Sequence, residues 1–493
     1  MSFAYALLAL NLLTTRQLPP GAELHIRLTT PISSYSSRAG EHVDAVLIAP
    51  VVSNGEIVLP AGSLVSGNLK SVQRVGFGLV HELAGFDLEF TAITTPDGER
   101  FPLSARVQEV ENARERLTRD GGIRGYRPTS SLSYRTGGYI RTAITWEMHA
   151  ALAVWAVKTL LLQVPEPEIY YPVGVELTLA LTGPMRAPAP ESSPAPSLLT
   201  DKDRAEIDAL LEAVPARTYA AYSNRPSDLI NVMFIGSRED VATAFEAAGW
   251  IEPQQATLRT NIRRIRAVAD GRGDRTAPMS NLLVQDQKAD MSWQKGFNDV
   301  SQRHHIRIWM QTETWNGKPV WVGAATHDID FAFWRRGTPM THKIAENVDD
   351  ERDKVVNDLV FTTCASLLDF PERAHIPTFT HNATGDPMRT DTRLAIVQVK
   401  SCAAPAISLQ FTSATLPLHG SKLQRFARRE ILSLRSDVIR ENIYWRSYEG
   451  VRWLITAYRQ RGGRGAQNAT RRPANQESRQ GSNHAAFLKD MFR

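Results

Sequence analysis

Along residues 303–311 and 318–328, "RHHIRIWMQ" and "KPVWVGAATHD", apolar and polar positions alternate with the period of two that marks strands, and the runs flank Asn316-Gly317. That dipeptide favours a type I′ turn, so the pattern predicts a hairpin with Trp315 facing Lys318. Carried along both strands, this register sets His305 opposite Asp328, Arg307 opposite Thr326 and Trp309 opposite Ala324, on one polar face. Ile306, Ile308, Met310, Trp321, Gly323 and Ala325 fall on the other face, a core side with His304 and His327 at its open end.

Upstream, residues 17–185 read as short strands separated by Pro-Gly punctuation, with strands expected at 43–49, 64–71 and 83–94. "LPPGAELHIRLTTPI" near the start of this region and "YPVGVELTLALTGPM" at its end repeat one design, a Pro-x-Gly turn feeding a strand. First and last strands of like design can lie side by side and close a small barrel. Gly, Arg and Ser crowd residues 119–138, which reads as a mobile loop, and the apolar run 150–164 reads as a buried segment.

A Pro-rich spacer, 186–199, ends this all-β domain. An α+β region follows over 200–416. Thr200 with Asp203 caps a helix bearing Ile207, Leu210, Leu211 and Val214, residues 229–236 form a buried strand, and Ser237 with Asp240 opens a second helix that Gly249 stops. A third helix, 258–269, carries Arg259, Arg263, Arg264 and Arg266 and reads as a solvated face. A fourth helix has an acidic start at Asp349 to Asp353, and one more strand covers 394–399. Residues 417–461 read as a basic amphipathic helix bent at Gly450, and 462–493 as a disordered tail. The predicted architecture is multidomain: an N-terminal all-β barrel or sandwich, then α+β with a central hairpin, then the basic helix.

At 493 residues the chain is too long for one core, consistent with this division. Net charge is only +5, yet the residues from Gly420 onward carry sixteen Lys or Arg against six Asp or Glu, so the basic character belongs to the C-terminal end. Such a helix either docks on the preceding domain or lies on an anionic membrane surface; nucleic acid is not expected as a partner. No apolar run of about eighteen residues exists to span a bilayer. The leader 1–16, with "MSFAYALLALNLL" at 1–13, has the apolar core of a signal peptide without its basic flank, which points to export to the periplasm or envelope, with a buried N-terminal segment as the alternative. Cys364 and Cys402 read as two buried free thiols, or as one bridge if the compartment is oxidising.

Candidate chemistry gathers at the hairpin. His305 oriented by Asp328 has the makings of a general base, Arg307 can clamp a phosphate or carboxylate, and His342 with Asp349 or Glu351 can complete the set or share a divalent metal with His305 and Asp328. G-x-S-x-G, G-x-G-x-x-G, a P-loop lysine, H-x-H and H-E-x-x-H are all absent, so no cofactor or metal is specified. A plain ion-pair network holding a helix on the hairpin would use the same residues.

Two resemblances add to this reading. "LPPGAELHIRLTTPIS", "HVDAVLIAPVV" and "IVLPAGSLVSG" resemble the TrbI-like β-barrel domain of envelope and conjugal-transfer proteins, implying an envelope scaffold without enzymatic activity. "PSDLINVMFIGSREDVATAFEAAGW", "RHHIRIW", "GKPVWVGAATHD" and "THKI…DDERD" resemble the LssY C-terminal domain over about residues 226–400. In that family the module often follows membrane-embedded phosphatidic-acid-phosphatase-like and DedA-like domains, whose place the β-domain takes here. The resemblance implies His304, His305, Arg307, Asp328, His342, Asp349, Glu351, Arg352 and Asp353 as recurrent polar positions, with His327 at a variable, expendable one. The expected roles are catalytic for His305, Asp328 and His342, and ligand-binding for Arg307, Arg352, Glu351 and Asp353. The expected function is binding or scaffolding for an anionic ligand, lipid or phosphate-bearing, at the membrane periphery; the alternative is a hydrolase or transferase of phosphorylated or lipid envelope substrates.

Overall fold

A computed structural model of the chain describes residues 16–53, 56–77, 81–127, 166–187, 199–255, 257–270, 273–335, 338–402, 420–441 and 451. The apolar leader up to residue 15, the body of the Pro-rich spacer, the run 150–164, the C-terminal helix from residue 442 with its bend at Gly450, and the tail lie outside these residues.

Six strands form the N-terminal barrel: β1 (Glu23–Leu28), β2 (His42–Leu47), β3 (Leu64–Gln73), β4 (Gly85–Thr94), β5 (Arg100–Val110) and β6 (Glu176–Leu181). Each pairs antiparallel with the next, and β6 returns to β1, with Leu177 opposite Ile26 and Leu179 opposite Leu24. The two strands of repeated design therefore close the barrel, as expected. Leu24, Ile26, Leu28, Val43, Phe90, Leu177 and Leu179 fill it, all at most 2% exposed. Part of the expected mobile loop is instead ordered: Ile123 is fully buried and pairs with Phe86, because its apolar side chain extends the sheet edge.

The second layer is a mixed sheet. Its strands are β7 (Val232–Ile235), β8 (Met291–Lys295), β9 (Arg303–Trp315), β10 (Lys318–Arg335), β11 (Thr338–Ile344), β12 (Ala365–Asp369) and β13 (Ala395–Val399). They run in the order β8-β9-β10-β7-β13-β12, with β11 paired to the far half of β10. Helices α1 (Asp201–Ala213), α2 (Arg238–Ala247), α3 (Leu258–Asp270), α4 (Val348–Phe361) and α5 (Lys422–Glu441) follow the predicted order. Helices α2 and α4 cover one face through Val241, Phe245, Val355 and Leu359 against Phe234, Ile306, Ile308 and Trp321. Ile207 of α1 covers the other, against Met233, Ile235, Trp309, Val320 and Val322.

Hairpin β9–β10 turns at Asn316-Gly317, whose φ values of 49° and 73° are those of a type I′ turn. Trp315 faces Lys318 as expected, but the predicted register fails beyond it. Residues 311, 312 and 313 face the single Val320, and this bulge shifts every later pair by two: His305 lies opposite Thr326, Arg307 opposite Ala324, His304 opposite His327. An even shift leaves each side chain on its predicted face. Two further corrections follow. Met310, expected in the core, is 53% exposed at the bulge, and the "polar" face is buried because α1 and the strand Leu282–Val284 pack on it. The segment before α4, read as leading into a helix, pairs as β11 up to Ile344, and the helix starts at Val348 with Asn347 as its cap.

The capping box of α1 is present: Thr200 accepts from the Asp203 amide, and the Thr200 amide donates to Asp203 Oδ2 at 2.9 Å. Thr200→Ala should lower stability by about 1 kcal/mol, read as a shift of the urea midpoint at unchanged m-value.

Cys364 and Cys402 are bonded, Cα atoms 4.6 Å apart, correcting the expectation of free thiols. Cys364 immediately precedes β12 and Cys402 lies just past β13, so strand pairing brings the two together.

Barrel and α+β layer belong to one compact unit, Met1–Ser433. Tyr171 stacks edge-on to Phe297 at 5.6 Å, and Phe361 of α4 packs on Val46 and Ile48.

Candidate functional site

The residues predicted as one site divide into three clusters. On the α1 side of the hairpin, Asp328 Oδ1 lies 2.9 Å from His305 Nε2, while its Oδ2 accepts from Arg303 Nε at 3.0 Å and lies 3.6 Å from His342 Nδ1. Burial would raise the Asp328 pKa, but His305, His342 and Arg303 hold it well below the usual carboxylate range. His342 is pushed down by burial despite Asp328. Arg307 donates to the Ser280 carbonyl and hydroxyl, both at 3.0 Å, and pairs with Asp228 at 3.6 Å. The guanidinium fork expected to clamp a ligand thus faces protein groups. His305 and Arg307 are each 5% exposed and Asp328 3%.

Arg352 stands apart from that cluster. It holds Asp391 through both carboxylate oxygens at 2.7 and 3.1 Å, and also bonds Asp349, Asp353 and the Arg393 carbonyl, stacked over Phe370. The arrangement pins α4 to the loop before β13; Asp353 itself is half-exposed.

Glu351 joins neither. It accepts from His304 Nδ1 at 2.6 Å on the α2/α4 side, and His304 Nε2 lies 3.0 Å from Glu111, just past the end of barrel strand β5. His327 stacks on His304 with ring centroids 4.1 Å apart and lies 3.0 Å from Asn112 Oδ1. Burial lowers the His304 pKa less than Glu351 and Glu111 raise it, and it rises to about 10. His327, part-buried and beside that cation, is pushed down by desolvation first and by His304 second, to about 3. Donor atoms of Glu111, His304 and His327 lie within 4.8 Å of one another, the one such group among the described residues.

Next to it, the seam holds a cluster that the sequence reading missed. Asp358 of α4 accepts from Arg27 at 3.0 Å, Lys295 at 2.9 Å, Lys354 at 2.8 Å and the Trp250 indole at 2.9 Å. Glu176 of β6 meets the same three cations, Arg27 at 2.6 Å, Lys295 at 2.5 Å and Lys354 at 2.7 Å. Burial depresses Lys295 to about 8, aided by Arg27, whereas both carboxylates raise Lys354 despite its burial. A charge on the buried face of α4 was the available signal: Asp358 follows Val355 by three residues, in the apolar stripe. Arg27 gave none, since it alternates outward from the barrel and is buried only by docking.

Residues 212–394 match the family described as the LssY C-terminus. This segment holds all four clusters except for what the barrel and its flanks contribute: Glu111, Asn112, Arg27 and Glu176. No curated protein matches the sequence. Among solved structures, ComB10 of the Com type IV secretion system of Helicobacter pylori aligns with 36% of this chain and 94% of its own, at 14% identity and a TM-score of 0.21. Among the described residues no helix is long and apolar enough to cross a membrane.

Proposed function

We propose that the chain is a non-catalytic envelope module whose barrel and LssY-like layer form one scaffold held on an anionic membrane surface. The observation that carries this reading is helix α3. Leu258, Ile262 and Ile265 are 79%, 50% and 65% exposed and recur at four- and three-residue spacing, so they form one outward stripe. Thr260 and Ala267, which are buried, sit about half a turn away on the side facing the protein. Arg259, exposed, flanks the stripe, and Arg263 lies on the same side while bonding Gln254 and Thr276 and pairing with Asp274 at 3.6 Å, so the stripe has a basic border of the kind found on a helix lying in a headgroup layer. Helix α5 adds a second such surface: Leu432 is buried against the barrel and Arg428 pairs with Glu166 and Glu168, which leaves Leu423 and Ile431 outward. The cystine supports an oxidising compartment, in line with export to the envelope.

Hydrolysis or transfer by His305, Asp328 and His342 has less support, because the donors and acceptors around Asp328 and Arg307 face one another in a packed seam. Co-sedimentation with vesicles tests the proposal. The full chain should partition onto phosphatidylglycerol-containing vesicles and much less onto phosphatidylcholine, with salt weakening it. Ile262→Asp with Ile265→Asp should reduce binding at least about tenfold. Equal binding to both lipids, or none to either, would count against it, and turnover of a phosphoester lost in His305→Ala would replace it.

A further inference from the structure

We propose that Glu111, His304 and His327 form a zinc site at the seam between barrel and α+β layer. The three side chains come from separate places in the sequence, and the fold alone assembles them. His304 and His327 are directly opposite across β9–β10, so their rings leave the sheet side by side on one face. Glu111 reaches them from the barrel, its carboxylate already 3.0 Å from His304 Nε2. Zinc bonds of about 2.0–2.1 Å place tetrahedral ligands about 3.4 Å apart, so closing the 4.8 Å spread of donor atoms takes little more than an ångström.

Glu351 supplies the part of a metal centre that stands behind the ligands. Its 2.6 Å contact to His304 Nδ1 fixes the ring and leaves Nε2 as the ligating nitrogen, the carboxylate–histidine–metal arrangement. A cavity of about 10 Å³ lined by Glu111, Asn112, Lys295 and His304 has room for about one water, the fourth ligand that two imidazoles and a carboxylate leave open. Nitrogen and carboxylate donors in this number suit zinc rather than calcium or magnesium. Binding displaces the proton between His304 Nε2 and Glu111, which leaves to solvent. Since Glu111 belongs to the barrel and the histidines to the LssY-like layer, the ion would tie the two together.

The test uses the full chain without a polyhistidine tag, stripped with chelator and titrated with zinc, and separately with cobalt(II) as a spectroscopic probe. About one equivalent should bind per chain and raise Tm, and cobalt should give the visible absorption of a tetrahedral site. Glu111→Gln, which keeps the packing volume, and His327→Ala should each weaken binding at least about tenfold, whereas His342→Ala should bind as the parent does. Substoichiometric zinc with no cobalt band in the parent chain overturns the proposal, and so does unchanged binding in folded Glu111→Gln.

Discussion

Asp358→Ala is expected to cost about 3–5 kcal/mol of folding free energy, the range for removing one partner from a buried ion pair. The size follows from what is left behind. Arg27 and Lys295, buried, and Lys354, part-buried, surround two carboxylates; without Asp358 they would share one carboxylate, Glu176, with only Lys295 keeping a further acceptor in the Ala248 carbonyl, and the Trp250 indole would lose its partner. Because two of the five charged residues belong to the barrel and three to the α+β layer, the loss should appear as reduced cooperativity between the layers as well as a lower midpoint. Burial would raise the Asp358 pKa, but Lys295 and Lys354, with Arg27, hold it down to about 2. A carboxylate depressed on folding contributes stability above its unfolded pKa, near 4, and loses it as pH falls toward about 2, a span of about 3 kcal/mol. Asp358→Asn should therefore flatten the acid limb of the stability–pH curve between about pH 4 and 2. Urea denaturation followed by circular dichroism at several pH values measures both effects. A midpoint within experimental error of the parent for Asp358→Ala would show that the cage is not what holds the layers together.

Much of the fold was legible because it rests on local chemistry. Asn316-Gly317 set the turn, Thr200 and Ser237 set helix starts, and the repeated Pro-x-Gly strands identified the pair that closes the barrel. The hairpin's bulge was not legible, since the polar run "QTE" contains no Gly or Pro to mark it, yet its even count kept His305, Arg307 and Asp328 together on one face. Convergence with the segment 341–353 was half right: His342 of β11 reaches Asp328, but Glu351 and Arg352 turn to other partners because α4 packs on the opposite face of the sheet. What the sequence hid is what docking creates. Arg27, Glu111 and Glu176 are covered by the docked α+β layer, which the local pattern of an isolated barrel does not reveal. His327, read as expendable, is the ring stacked on His304 at that seam.

Reducing the Cys364–Cys402 bond is expected to destabilise the unit by about 4 kcal/mol, from the chain-entropy relation for a loop closed over this separation of 38 residues. That relation treats the bond as a constraint on the unfolded chain, and the native geometry supports using it. Cys364 is fully buried, Cys402 packs on the same core, and the Lys400 amide already donates to the Cys364 carbonyl at 2.9 Å, so the strands are in place without the bond. Between the cysteines the chain leaves the sheet, forms the hairpin Phe379–His381 with Pro387–Arg389, and returns through Asp391, the partner of Arg352. Freed from the bond, that excursion gains most of the entropy, so its amides should lose exchange protection before those of β9 and β10. A reductant should lower Tm by about 5 °C, and Cys402→Ser should reproduce the shift and be insensitive to reductant. Alkylation of unreduced protein should find no reactive thiol. Two titratable thiols together with a Tm indifferent to reductant would sink the prediction, and with it the argument from the cystine to an oxidising compartment.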